Sequence, residues 1–309
     1  MSKLIEEEIE DGLRLQYNLN KVLASSQTKF QKVDLVDTVP FGKVLLIDGL
    51  AQSCDLDEFV YHESLVHPAL LAHPNPKRVY IGGGGEGSTA REVLRHKSVE
   101  VCTMVDIDGD VVSFCRDHLE VNAEAFKDPR LNLVIDDAKV QLENADAPYD
   151  VIIMDLDDPL EGGPCYQLYT KTFYEMCKSK LAPGGILVTQ SSSGGVKGHR
   201  LVFSAVHNTL SKVFPRVSAY NQAVYSFCDE WAWVIAFSDE GARPLTKEEV
   251  DQRIEERITG GSAALRFLDG ESYLGLFAMS KDVRKTLAAE TRVLGDGVHA
   301  FMHGAGLAK

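Results

Sequence analysis

The sequence has few cysteines and no pattern that would join them. Six cysteines are spread over 309 residues, and no two of them form a Cys-x-x-Cys pair. This spacing is typical of reduced, partly buried thiols, and it excludes a disulfide framework and a zinc site. No stretch has the ~18 apolar residues of a membrane span. The acidic start of the chain has no apolar core of a signal peptide. We therefore expect a cytoplasmic protein that has no membrane partner.

Basic residues are also scarce. The chain has 32 Lys and Arg against 46 Asp and Glu, so its formal net charge is −14. Such a surface repels a phosphate backbone and attracts small polycations, which argues against nucleic acid as a partner. Acidic surfaces are also common in proteins where they serve only solubility, so charge by itself leaves both interpretations open.

The order of the apolar segments predicts an α/β protein. Residues 13–68 contain short strand-like segments and a hairpin signal at Asp48-Gly49, and residues 57–72 have helical periodicity. Residues 77–238 then alternate short apolar runs with helical segments, as expected for parallel strands that are covered on both faces. The predicted strands there are 78–81, 99–105, 131–135, 151–154, 186–189, 216–220 and 231–237, and the predicted helices are 88–96, 110–119, 169–181 and 200–213.

We predict a doubly wound, Rossmann-like sheet of the methyltransferase type with a small N-terminal β domain. The expected division has three parts. Residues 1–75 form the N-terminal β-hairpin domain with its linking helix, residues 76–240 form the catalytic domain, and residues 241–309 form a C-terminal extension packed on it.

A glycine-rich loop, Gly82 to Gly87, follows the first predicted parallel strand. Glycines permit a sharp turn and a close approach of the backbone to a ligand. The next strand ends in Asp106, where an acid would bind ribose hydroxyls, and the third ends in Asp136-Asp137, where an adenine amine could donate. These acids suit an adenosine without phosphates, because they would repel a pyrophosphate. Alternatively, they only cap the helices that begin there.

Glu86 lies inside this loop and discriminates between ligands. It disfavours a dinucleotide, whose phosphates would lie there. The carboxylate of S-adenosylmethionine would be repelled by Glu86, whereas the decarboxylated form presents only an ammonium that can pair with it. We therefore expect decarboxylated S-adenosylmethionine as a co-substrate, with no other cofactor and no metal.

An acidic segment, Asp155-Leu156-Asp157-Asp158-Pro159, follows the fourth strand and faces the same cleft. A lysine-like amine has a pKa of about 10.4, so an amine nucleophile must lose a proton before it attacks carbon. A carboxylate can hold the cation and then accept the proton, while the sulfonium is already a good leaving group. Asp155 and Asp158 could divide this work between two amines. The alternative is a solvated acidic turn.

Three blocks of the sequence resemble the signatures of the spermidine synthase family, in the right order and spacing. They are Phe59-Val60-Tyr61-His62-Glu63, Gly83-Gly84-Gly85-Glu86-Gly87 and the segment from Asp155 to Pro159. Residues 161–169, 226–233, 266–270 and 280–285 resemble the thermospermine synthase branch of plants and algae. The resemblance implies a polyamine aminopropyltransferase that converts decarboxylated S-adenosylmethionine and spermidine to thermospermine and methylthioadenosine. It also implies a homo-oligomer, a dimer or a tetramer.

The resemblance implies roles for individual residues as well. Asp155 would be the proton acceptor, Asp158 an amine anchor, and Tyr61 the residue that orients or deprotonates the attacking amine. The implied donor-binding residues are Gln31, Gln52, His62, Gly83, Gly85, Glu86, Asp106, Ile107, Asp137, Ala138 and Pro164, with Ile107 and Pro164 on the two faces of the base. The implied acceptor-binding residues are Tyr61, Asp155, Asp158, Gln190, Phe227 and Trp231. The family often has Glu at the position of Asp106.

One stretch departs from the family pattern. Spermidine synthases have a Tyr-Pro-Ser segment near the last hairpin, whose tyrosine helps to hold the far amine of putrescine, and the matching stretch here is Ser226-Phe227-Cys228. A more apolar slot at this position could follow the methylenes of a longer amine. The alternative is that the aromatic residues there, Trp233 above all, belong to the hydrophobic core.

Three alternatives remain at this point: a spermidine or spermine synthase, a methyltransferase on the same fold, and an inactive polyamine-binding protein. A methyltransferase does not explain Glu86 together with Asp155 and Asp158. Intact Asp155 and Tyr61 argue against an inactive binder.

Overall fold

The computed structural model of the protein describes residues 3–10, 12–159 and 165–296. Its first sheet contains β1 (Lys3–Glu10), β2 (Leu13–Gln27), β3 (Lys32–Thr38), β4 (Gly42–Ile47) and β5 (Leu50–Cys54). Each strand pairs antiparallel with the next, so the sheet is a meander. Asp48 (φ 50°) and Gly49 (φ 84°) make the turn from β4 to β5, and positive φ at both residues suits a tight hairpin. The predicted hairpin is confirmed.

The second sheet contains β6 (Arg78–Gly83), β7 (Val101–Asp106), β8 (Leu131–Ile135), β9 (Tyr149–Asp155), β10 (Leu181–Ser193), β11 (Arg216–Val224) and β12 (Asp229–Phe237). The strand order is β11-β12-β10-β9-β6-β7-β8. Strands β6 to β10 are parallel, whereas β12 is antiparallel to both of its neighbours. The chain order reverses between β6 and β9, where open α/β sheets bind their ligands. The predicted α/β fold with a Rossmann-like sheet is confirmed.

Helices cover both faces of this sheet. They are α1 (Glu58–Ala72), α2 (Ser88–Leu94), α3 (Gly109–His118), α4 (Ala138–Glu143), α5 (Lys171–Ser179), α6 (Phe203–Ser211), α7 (Lys247–Arg257), α8 (Gly270–Leu276) and α9 (Lys281–Ala289). Successive residues of β6 belong to different cores: Val79 and Ile81 pack with α1, α2 and α7, and Tyr80 packs with α5 and α6. This explains why the central strands are continuous apolar runs rather than alternating ones.

Helix α1 links the two sheets and is buried almost throughout. A helix that is buried on all sides needs polar anchors for its orientation, and the C-terminal part of the chain supplies one. The carboxylate of Glu63 accepts the backbone N–H groups of Arg266, Phe267 and Leu268 at 2.8, 2.9 and 2.8 Å. The hydroxyl of Tyr220 donates to the carbonyl of Ser64 at 2.9 Å. The position of α1 is thus fixed by residues far away in sequence.

Several elements differ from their sequence-based predictions. Strand β1 and helices α4, α8 and α9 were not predicted, and β2 and β10 are longer than expected. The division into three parts at residues 75 and 240 stays a prediction. All six cysteines are free thiols, of which Cys228 is exposed. In the described part of the chain, no helix is long and apolar enough to cross a membrane. The same residues contain no cluster of at least three His, Cys, Asp or Glu side chains suited to a metal ion.

Candidate active site

The glycine loop after β6 packs directly against two of the predicted acids. Gly83 has φ 82°, and a Cβ there would lie 2.1 Å from the carbonyl oxygen of Asp155. The N–H of Gly84 donates to that same carbonyl at 3.0 Å. A Cβ on Gly85 would lie 2.6 Å from Oδ2 of Asp106, to which the N–H of Gly85 donates at 3.0 Å. Glycine is therefore required here for the loop to hold both acids at the carboxyl edge of the sheet.

Asp106 lies at the end of β7, as predicted. Its other oxygen accepts the N–H of Asp108 at 2.9 Å. Desolvation in the cleft, together with the carboxylates of Asp108 and Asp155, raises the pKa of Asp106. The raised pKa therefore reflects burial first, with a smaller contribution from the neighbouring carboxylates.

The turn between β2 and β3 reaches the same edge through Asp108. Thr28 Oγ1 and Gln31 Nε2 both donate to Oδ2 of Asp108, at 2.6 and 3.2 Å. Asp108 also caps α3 by accepting the N–H groups of Asp110 and Val111. Sequence analysis missed this residue. Its role as a helix cap was readable from the sequence, whereas its contacts with residues 28 and 31 depend on the tertiary fold.

Of the residues predicted on the adenine side, Asp137 and Ile107 are exposed and Ala138 is buried. Asp137 caps α4 by accepting the N–H groups of Lys139 and Val140, at 2.7 and 3.2 Å. One oxygen of Asp137, Oδ1, therefore serves as a helix cap, which does not exclude a role of the other oxygen in ligand binding. The carbonyl of Ala138 accepts the hydroxyl of Tyr80 at 2.6 Å. Ile107 is 45% exposed, so it offers an apolar surface beside Asp106.

Two further residues that were predicted to bind the aminopropyl donor are Gln52 and Pro164. Gln52 lies partly exposed on β5, where its Nε2 donates to the carbonyl of Leu50 at 3.3 Å. Pro164 lies outside the residues that the structure describes.

Asp155 and Tyr61 are in direct contact. The Tyr61 hydroxyl donates to Oδ1 of Asp155 at 2.7 Å, and Thr89 Oγ1 donates to Oδ2 at 2.5 Å. Burial, followed by the charge of Asp155, raises the pKa of Tyr61 well above its ordinary value. Tyr61 therefore keeps its proton and is a hydrogen-bond donor to the carboxylate. Thr89, in the first turn of α2, was not predicted, because nothing in the sequence distinguishes it from an ordinary helix residue.

Asp158 is held by β10. Its Oδ2 accepts Ser192 Oγ at 2.8 Å, and its Oδ1 lies 3.3 Å from Gln190 Nε2. The same Nε2 is 2.6 Å from the carbonyl oxygen of Leu156 and 2.7 Å from the hydroxyl of Tyr169. Gln190 thus contacts the acidic segment, as its prediction as a site residue requires, and it fixes the segment's backbone.

Glu86 belongs to a chain of buried charges. Ser53 Oγ donates to Oε2 of Glu86 at 2.6 Å, and His62 Nε2 lies 3.3 Å from Oε1. On its other side, His62 Nδ1 is 2.9 Å from Glu58 Oε2, which Arg91 also contacts at 2.8 Å. Burial by itself would lower the pKa of His62, but Glu86 and Glu58 outweigh it and raise the pKa to about 9. The ring is therefore an imidazolium between two carboxylates.

An aromatic wall borders the Tyr61–Asp155 pair. The Phe227 ring lies edge-on at 5.9 Å from Tyr61 and 4.7 Å from Trp231. Trp233 is fully buried and stacks on Tyr220 at 5.7 Å, so it belongs to the core, as the sequence analysis allowed. Tyr225, just before the departing stretch, is 73% exposed. Phe227 and Trp231, both half-buried, therefore form an aromatic wall next to Tyr61.

Several known proteins resemble the chain in sequence and in fold. The model of the spermine/spermidine synthase domain matches residues 58–247, and that of the spermidine synthase tetramerisation domain matches residues 4–62. Thermospermine synthase ACAULIS5 of Arabidopsis thaliana is 48% identical over 98% of this chain and 88% of its own length. Polyamine aminopropyltransferase 2 of Hyperthermus butylicus is 42% identical, with 94% and 93% covered. Spermidine synthase from Thermotoga maritima superimposes with a TM-score of 0.82 at 28% identity, over 94% of this chain and 97% of that structure.

Proposed function

The chain belongs to the spermine/spermidine synthase family of polyamine aminopropyltransferases, and we propose that it transfers the aminopropyl group of decarboxylated S-adenosylmethionine to spermidine. The products are thermospermine and methylthioadenosine. The observation that carries the geometric part of this proposal is the Tyr61–Asp155 hydrogen bond at the edge of an apolar wall. The choice of thermospermine rests on the similarity to the Arabidopsis protein.

The donor binds across the ends of β6, β7 and β8. Asp106 takes the ribose hydroxyls, and the segment from Asp137 to Ala138 takes the adenine edge, with Ile107 against one face of the base. The donor's ammonium pairs with Glu86, whose carboxylate is already oriented by Ser53 and His62. A carboxylated donor would place a second anion beside Glu86, which explains the expected preference for the decarboxylated form.

Transfer requires a neutral amine. The amine nitrogen attacks the propyl carbon that is bonded to the sulfonium, the C–S bond breaks, and its electron pair stays on sulfur as a neutral thioether. The proton leaves the amine for Asp155, whose carboxylate is oriented by Tyr61 and Thr89. Tyr61 keeps its proton and so only orients the base. Asp158 holds a second ammonium of the acceptor.

The acceptor is proposed to lie with its methylenes along Phe227 and Trp231. Putrescine and spermidine can both offer a second ammonium to Asp158, but spermidine has an additional methylene segment that can cover this wall. A spermine or spermidine synthase is the second candidate, because the structures with TM-scores of 0.82 and 0.84 are spermidine synthases. Incubation of the protein with the donor and either spermidine or putrescine, followed by chromatography against thermospermine, spermine and spermidine standards, separates these candidates.

The protein is also proposed to act as a homo-oligomer through its first sheet. The match to a tetramerisation domain over residues 4–62 supports this assembly. Large apolar side chains on that sheet, including Leu4 and Val22, are more than half exposed in the single chain. Light scattering of the purified protein distinguishes a dimer, a tetramer and a monomer.

A further inference from the structure

Asp57, the residue just before α1, does not cap the helix. Aspartate is among the preferred residues at this position, where its carboxylate usually accepts a backbone N–H of the first turn. Here the side chain makes no such bond. It is 4% exposed, so its carboxylate must find other donors.

Those donors come from the loop that carries Phe227. Oδ2 of Asp57 accepts the backbone N–H of Ser226 at 2.8 Å, and Oδ1 accepts the Ser226 hydroxyl at 2.8 Å. Oδ1 also accepts the thiol of Cys54 on β5 at 3.0 Å. Burial, together with the neighbouring Asp57, raises the pKa of Cys54 to about 12, so the thiol stays a donor.

The next residue of the loop contacts the next turn of the helix. Ser226 binds Asp57, and Phe227 packs against Tyr61, four residues further along α1. Cys228 then turns the chain back with φ 59°, a left-handed conformation that is uncommon for a residue other than glycine. The loop therefore contacts α1 at two levels, one polar and one aromatic. Tyr61 is held by its own hydrogen bond to Asp155. Ser226 connects the loop to the helix through its two hydrogen bonds with Asp57.

We propose that Asp57 is a positioning residue for the acceptor, which fixes Phe227 relative to Tyr61 and thereby selects the end of the amine that reaches Asp155. This inference rests on the proposed function, because it takes the Phe227 wall as the acceptor's binding surface. Asp57 itself touches neither substrate. Loss of its bond to the loop loosens the wall, whereas the contacts of Glu86 with Ser53 and His62 do not involve the Asp57 side chain and stay in place.

The chain offers a matched pair of variants for the test. Ser226→Ala and Cys54→Ala each remove one donor from the same oxygen of Asp57, one on the acceptor loop and the other on β5. Each variant loses a hydrogen bond in a buried site, and the thiol is the weaker donor, so Tm should fall in both and at least as much in Ser226→Ala. Only Ser226→Ala should raise the KM for spermidine, by about fivefold, the factor that one ordinary hydrogen bond corresponds to. It should also increase the minor isomer among the products. The KM for the donor should stay within about twofold in both variants.

Asp57→Asn provides a second test. It keeps the size of the side chain but turns an NH₂ group toward a donor, so its effect on acceptor KM and product ratio should exceed that of Ser226→Ala. If this variant does not fold, the matched pair decides. Equal acceptor effects of Ser226→Ala and Cys54→Ala would overturn the inference, as would an unchanged acceptor KM and product ratio in a destabilised Ser226→Ala. The product of the wild-type protein, measured in the same assay, tests the proposed function separately. Spermine as the wild-type product would refute the thermospermine assignment. The acceptor KM and product ratio of the variants would still test the role of Asp57.

Discussion

The hydroxyl of Tyr61 donates a 2.7 Å hydrogen bond to the carboxylate of Asp155, from a residue 94 positions away in the chain. Tyr61 lies one turn into α1, and Asp155 is the last residue of β9. The contact therefore depends on how α1 is anchored against the sheet. Burial and that carboxylate raise the pKa of Tyr61, so the tyrosine keeps its proton and donates to Asp155. In the reaction proposed above, Asp155 is the proton acceptor.

Replacement of Asp155 by Asn tests that assignment. The variant keeps the side chain's size but loses the charge and the proton acceptor, so kcat should fall by ~10²–10⁴, the usual contribution of a general base. Methylthioadenosine should still bind, because Asp106 and Asp137 are unchanged. Steady-state kinetics together with calorimetry check both expectations. Near wild-type turnover in Asp155→Asn would show that another group accepts the proton.

Tyr61→Phe should be less severe. The variant keeps the ring against Phe227 and Trp233 but removes one hydrogen bond to the carboxylate of Asp155. A hydrogen bond to a charged group corresponds to a loss in kcat on the order of tenfold. Because the pKa of Tyr61 is raised well above 10.0, the alkaline limb of the pH–rate profile should not move. A limb that disappears in Tyr61→Phe would mean that the tyrosine itself titrates during catalysis.

Glu86→Gln should weaken the selection of the donor. Wild-type protein is expected to bind decarboxylated S-adenosylmethionine far better than S-adenosylmethionine, and the neutral amide should reduce that ratio by about tenfold or more. Glu86→Asp, which keeps the charge, is the matched control and should retain most of the preference. Calorimetry with both ligands measures the ratio. Equal or tighter binding of the carboxylated form by the wild type would favour a methyltransferase instead.

His62 should make the stability depend on pH in the alkaline range. Its folded-state pKa, about 9, exceeds the ordinary value of 6.5. Its contribution is therefore complete below about pH 6.5 and is lost as the pH rises through about 9. The integrated loss is about 3 kcal/mol at most. Urea unfolding of wild type and His62→Gln between pH 6 and 10 measures it. The two curves should converge at high pH, and parallel curves would contradict a buried imidazolium.

Most of the fold could be predicted from the sequence, because local sequence patterns determine most of its strands and turns. The five parallel strands β6 to β10 are buried on both faces, so they appear as short apolar runs, and Asp48-Gly49 marks its own hairpin. Strand β1 was missed because it is rich in glutamate, which disfavours a strand unless a neighbouring strand pairs with it. Helices α8 and α9 are short, and each buries only two large apolar side chains, Tyr273 and Leu276 in α8 and Val283 and Leu287 in α9, which are too few to establish a helical period.

The candidate site was predictable only in part. Asp106, Asp155 and Glu86 follow strands, so their place at one edge of the sheet follows from topology. The groups that hold them, Thr89 on Asp155 and Ser53 on Glu86, lie on other elements, and their contacts depend on tertiary packing. The contact of Glu58 with His62 could have been predicted from the sequence, because Glu58 lies four residues before His62 on the same helix face.

The identity of the product tests the central claim most directly. Purified protein is incubated with decarboxylated S-adenosylmethionine and spermidine, with putrescine in a parallel reaction, and the products are separated by chromatography against authentic standards. Thermospermine and spermine have the same mass, so retention has to decide between them. We expect thermospermine as the main product and little conversion of putrescine. Spermine as the main product, or efficient use of putrescine, would contradict the proposed function within this family.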